Sequence, residues 1–113
     1  MEYSTLDKLG VRVSRLGFGC MRFPLTAEGK IDEPRAAAML DTAYKAGVTY
    51  YDTAYFYHQH TGEAFLGRAM KRYPRDTFYL ATKMPMSIVE SLDHAKEIFE
   101  GQLAALQTDY VDF

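Results

Sequence analysis

The sequence predicts an α/β fold with parallel strands. Three observations carry that prediction. Short β-branched and aromatic runs alternate with segments of helical periodicity. Each helical segment is bounded by a cap or a breaker. The polar residues best suited to chemistry, Asp52, Tyr57 and Lys83, all fall at or just after the C-terminal ends of strand-like runs. Alternation at this spacing calls for right-handed crossovers between neighbouring parallel strands.

Residues 2–14 read as two short strands about a turn at Lys8-Leu9-Gly10, the second alternating apolar and polar as Val11-Arg12-Val13-Ser14. Leu16-Gly17-Phe18-Gly19 is a short apolar run whose glycines suit close approach by backbone or ligand. Residues 22–33 are polar and turn-rich, hence a loop. Pro34 suits the first turn of a helix, where its missing N–H costs nothing. Asp32 or Glu33 complements the positive end of that helix. Leu40, Ala43, Tyr44 and Gly47 follow helical spacing, and Gly47 is a natural stop.

Val48-Thr49-Tyr50-Tyr51 is a strand signal. Thr61 is expected to cap a second helix through its side chain. Leu66, Ala69, Met70 and Tyr73 then form one buried stripe, and Pro74 ends it. Thr77–Thr82 is the next strand. Residues 90–107 form a third helix with Ala95, Ile98, Phe99, Leu103 and Leu106 on one face, and Tyr110–Phe113 begins a fourth strand. The order is a hairpin followed by β-α-β-α-β-α-β.

An open doubly wound sheet and a partial (β/α)8 TIM barrel both place their sites at strand C-termini. Gly17-Phe18-Gly19-Cys20-Met21-Arg22 lacks the third glycine of a dinucleotide fingerprint and leads into a loop. That favours the barrel.

Composition excludes several function classes. A formal charge of −2 and 25% charged residues offer neither a nucleic-acid surface nor a polybasic membrane patch. The apolar runs are too short to span a bilayer. No charged-then-apolar run opens the sequence, so no secretory signal is expected, and one cysteine builds no internal disulfide, which suits a reducing cytoplasm.

An acid, a phenol and a lysine at consecutive strand ends are the parts needed to make tyrosine a usable proton donor. An isolated phenol has a pKa of about 10. A nearby ammonium favours the phenolate, and a carboxylate holds the ammonium charged and oriented. Asp52, Tyr57 and Lys83 fit those roles, set against the simpler reading of a core aromatic beside a structural ion pair. Tyr55 is a rival phenol read as packing. Cys20 reads as a small wall residue rather than a nucleophile. His58 and His60 are too few for a zinc site, so no metal is expected. His94 reads as surface, and Asp112 is left outside the catalytic set.

Leu16-Gly17-Phe18-Gly19-Cys20-Met21-Arg22-Phe23-Pro24, Gly47–Ala54 with Tyr57, Gly62-Glu63-Ala64-Phe65-Leu66-Gly67, Ala81-Thr82-Lys83 and Leu106–Asp112 occur in order over nearly the whole chain. Together they resemble the N-terminal part of an aldo-keto reductase. Met21–Pro24 and Tyr57-His58 are similar to a bacterial branch whose full-length members often carry a C-terminal iron–sulfur extension. The resemblance implies a (β/α)8 barrel closed below by a hairpin, which reduces small aldehydes or ketones with NADP(H). It implies Asp52, Tyr57 and Lys83 as three of the four catalytic residues, the fourth being a histidine beyond Phe113. Gly19, Cys20, Met21 and Asp52 are implied near the nicotinamide.

Residues 1–113 are therefore expected to be the incomplete N-terminal part of one barrel domain. Cofactor binding by this stretch alone is expected to be weak or absent, and reductase activity unmeasurable. Unpaired sheet edges favour self-association or a complementing C-terminal half. A cofactor-sensing regulatory module and a non-functional fragment are the other classes to weigh. A Schiff-base aldolase acting through Lys83 is disfavoured.

Overall fold

The computed structural model describes residues 1–113. A two-stranded antiparallel hairpin opens the chain: β1 (Tyr3–Leu6) pairs with β2 (Val11–Ser14) around Gly10, whose φ of +64° suits glycine. A parallel sheet follows, ordered β3-β4-β5, from β3 (Gly17–Gly19), β4 (Tyr50–Asp52) and β5 (Tyr79–Ala81). Helices α1 (Glu33–Lys45) and α2 (Gly62–Met70) make the two crossovers, and α3 (Leu92–Leu106) follows β5. This is the expected hairpin and βα alternation, consistent with part of a (β/α)8 barrel. No helix is long and apolar enough to cross a membrane.

Local chemistry accounts for most element ends. Asp32 caps α1 by accepting from the Arg35 N–H, with Pro34 in the first turn. Gly47 turns the chain at φ +90°. Ser91 caps α3 by accepting from the His94 N–H.

Thr61 departs from expectation. It stands at the head of α2, but its hydroxyl donates to the His58 carbonyl and makes no cap bond. The tight turn before α2 leaves that carbonyl closer than any helix N–H. His94 is half-buried rather than free at the surface, with Nδ1 accepting from the Glu90 N–H. Residues 75–77 form a 3-10 turn, so β5 is shorter than the Thr77–Thr82 run suggests.

Residues 110–113 lie along the edge of β5 without forming a strand ladder. The Asp112 and Phe113 N–H groups both reach the Leu80 carbonyl, while the Asp112 carboxylate takes the Leu80 N–H that a ladder would use. Arg75 clamps this segment, donating to Thr108 Oγ1, the Tyr110 carbonyl and Asp112 Oδ2. Asp112 is thus a structural acid.

The core lies between the sheet and its helices. Tyr51 and Leu80 leave one face of the sheet to meet Leu40 of α1, Leu66 and Met70 of α2, and Leu106 of α3. Strand alternation sends Tyr50, Asp52 and Tyr79 to the opposite face, where Phe113 rests over Tyr50 and Tyr79 at ring separations of 5.3 and 6.1 Å.

The end of α3 carries a local strain. Gln107 is left-handed at φ 53°, ψ 43°, as its N–H and that of Thr108 turn back to Ala104 and Leu103. Gln107 is exposed. Gln107→Gly is expected to stabilise the fold by about 0.5–1 kcal/mol, read as a higher urea midpoint.

Candidate functional site

Parallel register assembles the site. Gly19, Asp52 and Ala81 are partners across the three strands, so one row crosses the C-terminal edge of the sheet. Lys83 lies two residues past Ala81, and the same alternation returns its side chain to the face that carries Asp52. The Lys83 ammonium donates to both carboxylate oxygens of Asp52, at 3.0 and 2.9 Å, and to the Thr53 carbonyl at 2.8 Å. About half of the lysine side chain remains accessible.

Tyr57 comes from the turn between β4 and α2. Its carbonyl accepts from the Gly62 N–H. A Cβ at Gly62 would stand 3.0 Å from that oxygen, so a glycine lets the turn close. His58 ties the turn to the loop after β3: its ring stacks on Phe23 and Nε2 accepts from the Phe23 N–H. These contacts hold the Tyr57 ring with its centroid 4.9 Å from the Lys83 ammonium. Asp52, Tyr57 and Lys83 are therefore neighbours in space. Tyr55 packs edge-on against Phe56 and His60, away from this grouping.

Electrostatics follow from the geometry. Burial lowers the Lys83 pKa, but its hydrogen bonds to the Asp52 carboxylate, with the adjacent Tyr57 phenol adding to them, outweigh it and leave the ammonium above its ordinary range. The lysine is held charged. Cys20 is fully buried among core side chains. Burial, reinforced by the Asp52 charge, pushes its thiol well above the usual range. Cys20 is an inert wall, and only its backbone can face a ligand.

Gly19 leaves open space where a Cβ would stand, and Met21 is 55% exposed. The edge beside Asp52 is thus unobstructed.

One layer below lies a polar group that sequence patterning did not single out. Glu63 of α2 is only 6% exposed, and its Oε1 accepts from Thr82 Oγ1 at 2.6 Å and Gln102 Nε2 at 2.8 Å. An acid in the first turn of a helix ordinarily signals a solvated complement to the dipole. The signal that contradicts it, a glutamine on the apolar side of α3, gains meaning once α2 and α3 are in contact.

A family model described as "Aldo/keto reductase family" matches residues 15–113. The chain belongs to that family. The aldo-keto reductase YhdN of Bacillus subtilis is 33% identical over 120 residues, covering 99% of this chain and 36% of that protein. The holo form of aldo-keto reductase AKR11C1 from Bacillus halodurans superposes with a TM-score of 0.79 at 34% identity, over 99% of this chain and 38% of that one. An aldo-keto reductase from Klebsiella pneumoniae, solved with NADPH, gives 0.75 at 28% identity over 99% and 38%. The chain spans about a third of the length of the curated relatives it matches. The relatives named above are reductases by their own names.

The family fold brings several proton-bearing groups into the interior. Burial is the first cause raising the pKa of Tyr50, Tyr51 and Tyr73, the last to about 12, with the Asp41 carboxylate adding to Tyr73. Cys20 and Lys83 are raised too. A group raised on folding lends stability that is complete below its unfolded pKa and is lost as pH climbs through the folded one. Urea midpoints are therefore expected to begin falling as pH approaches about 8.5, where an unfolded thiol is half ionised. They should then fall progressively, most steeply above about pH 10.

Proposed function

We propose that Asp52, Tyr57 and Lys83 form the proton-delivering part of a reductase that uses NADP(H) to reduce a small aldehyde or ketone. One observation carries the proposal: the Lys83 ammonium is fastened to Asp52 and stands against the Tyr57 ring. NADPH, when bound, supplies the hydride to the carbonyl carbon. As negative charge gathers on the carbonyl oxygen, the Tyr57 hydroxyl delivers a proton to it. The resulting phenolate is countered by Lys83, and Asp52 keeps that lysine protonated and aimed. The open edge at Gly19 and Met21, with the Cys20 backbone and Asp52, forms one wall for the nicotinamide.

The test is a chimera in which residues 15–113 replace the matching third of the Bacillus subtilis relative. With NADPH and an aromatic aldehyde it is expected to consume cofactor, and Tyr57→Phe to abolish most of that turnover. A folded chimera that consumes no NADPH overturns the proposal. The 113-residue polypeptide assayed alone is expected to give no steady NADPH loss, because it spans about a third of that relative's length.

A further inference from the structure

We propose that Gln102, seated on Glu63, is a positioning residue that sets where the Lys83 main chain leaves the sheet and so where its ammonium meets Asp52. The proposal rests on the reading of Lys83 as the charge beside Tyr57. Lys83 lies beyond β5, so no strand ladder holds its carbonyl. That carbonyl accepts instead from Gln102 Nε2 at 3.0 Å. Gln102 is 1% exposed and sits on α3, well along the chain from the strand it serves. The same Nε2 donates to Glu63 Oε1 at 2.8 Å, and Thr82, the residue just before Lys83, donates its hydroxyl to that oxygen at 2.6 Å. Two consecutive residues of the strand exit are thereby tied to one buried carboxylate, Thr82 directly and Lys83 through the amide.

The arrangement is more than generic core polarity. A buried carboxylate is costly unless well bonded, and replacing such a group and its partner by apolar side chains of similar size is often neutral or stabilising. Stability alone therefore does not account for a charged group here. What Glu63 contributes is direction: it draws the Gln102 amide into the one place from which its remaining hydrogen reaches the Lys83 carbonyl. Reaction geometry is sensitive on this scale, since a displacement of about 1 Å at a reacting group can cost about 10²-fold in rate.

The test separates positioning from packing with three variants. Gln102→Met removes the amide at similar volume but strands a buried carboxylate, so some loss of stability is expected. Glu63→Met/Gln102→Met removes both polar groups and is expected to recover it. Glu63→Gln keeps an oxygen acceptor for both donors. In the 113-residue chain, Lys83 Nζ–H exchange with water is read by ¹H–¹⁵N correlation near pH 6. Both Met variants should exchange at least about tenfold faster than the parent, because the ammonium no longer rests squarely on Asp52 and Thr53. Glu63→Gln should match the parent. In the chimera, kcat should fall at least about tenfold in the Met variants with KM for NADPH little changed.

Parent-like exchange in the folded double variant overturns the proposal, whether or not the chimera is active. An inactive chimera with the expected exchange pattern counts instead against the reductase reading.

Discussion

Adding one methyl group at Gly67 is expected to cost the fold about 3 kcal/mol or more. Gly67 sits in α2 where α3 passes closest. A Cβ there would lie 2.5 Å from the Ala105 carbonyl oxygen, 2.7 Å from the Leu106 carbonyl carbon and 2.8 Å from the Leu106 Cα. All three are main-chain atoms of the neighbouring helix, so no rotamer change relieves the clash. The helices must part, loosening Leu66, Met70 and Leu106, which share the core.

For a domain of this size a loss of that order lowers the thermal midpoint by roughly 10 °C or more. Gly101 of α3 is the control. It has open space where its Cβ would stand, and Gly101→Ala should stabilise by up to about 1 kcal/mol through helix propensity. Equal midpoints for Gly67→Ala and the parent would show that α2 and α3 do not approach this closely.

Tyr57→Phe is expected to lower kcat of the chimera by about 10²–10⁴-fold, the usual contribution of a positioned general acid. The substitution is clean because it keeps the ring. The ring's stance over the Lys83 ammonium and the turn held by His58 and Gly62 are retained. Only the hydroxyl is removed. KM for NADPH should change little, since the lost interaction matters as the proton moves rather than during cofactor binding. Lys83→Met should act in the same direction, because it removes the charge that counters the phenolate as the proton leaves. A Tyr57→Phe chimera as fast as its parent would return the cluster to the plainer reading, an ion pair beside a packed aromatic.

Much of the architecture is visible in the bare sequence because its causes are local. Pro34 and Asp32 mark a helix start wherever they stand, and Gly47 marks a stop. Asp52 and Tyr57 are five residues apart, with one turn between them, and Lys83 follows the next strand. Parallel pairing then brings Lys83 to Asp52 with no further instruction, because alternation returns every second residue to the same face. Polar groups whose partners lie outside their own segment are not visible in this way. Thr61 reads as a cap, yet a nearer carbonyl captures it. Asp112 reads as one residue of a strand, yet Arg75 and the Leu80 N–H claim its carboxylate.

Glu63 shows where the division falls. Periodicity and capping, which depend on neighbours within a turn or a strand, established the order of elements and brought out the acid, the phenol and the lysine. Whether a first-turn glutamate meets water or a glutamine 39 positions away depends on how α2 and α3 settle against the sheet. That contact is specified by the bare backbone at Gly67 and the shape of the core, and no stretch of sequence shorter than the whole α2–β5–α3 unit contains it.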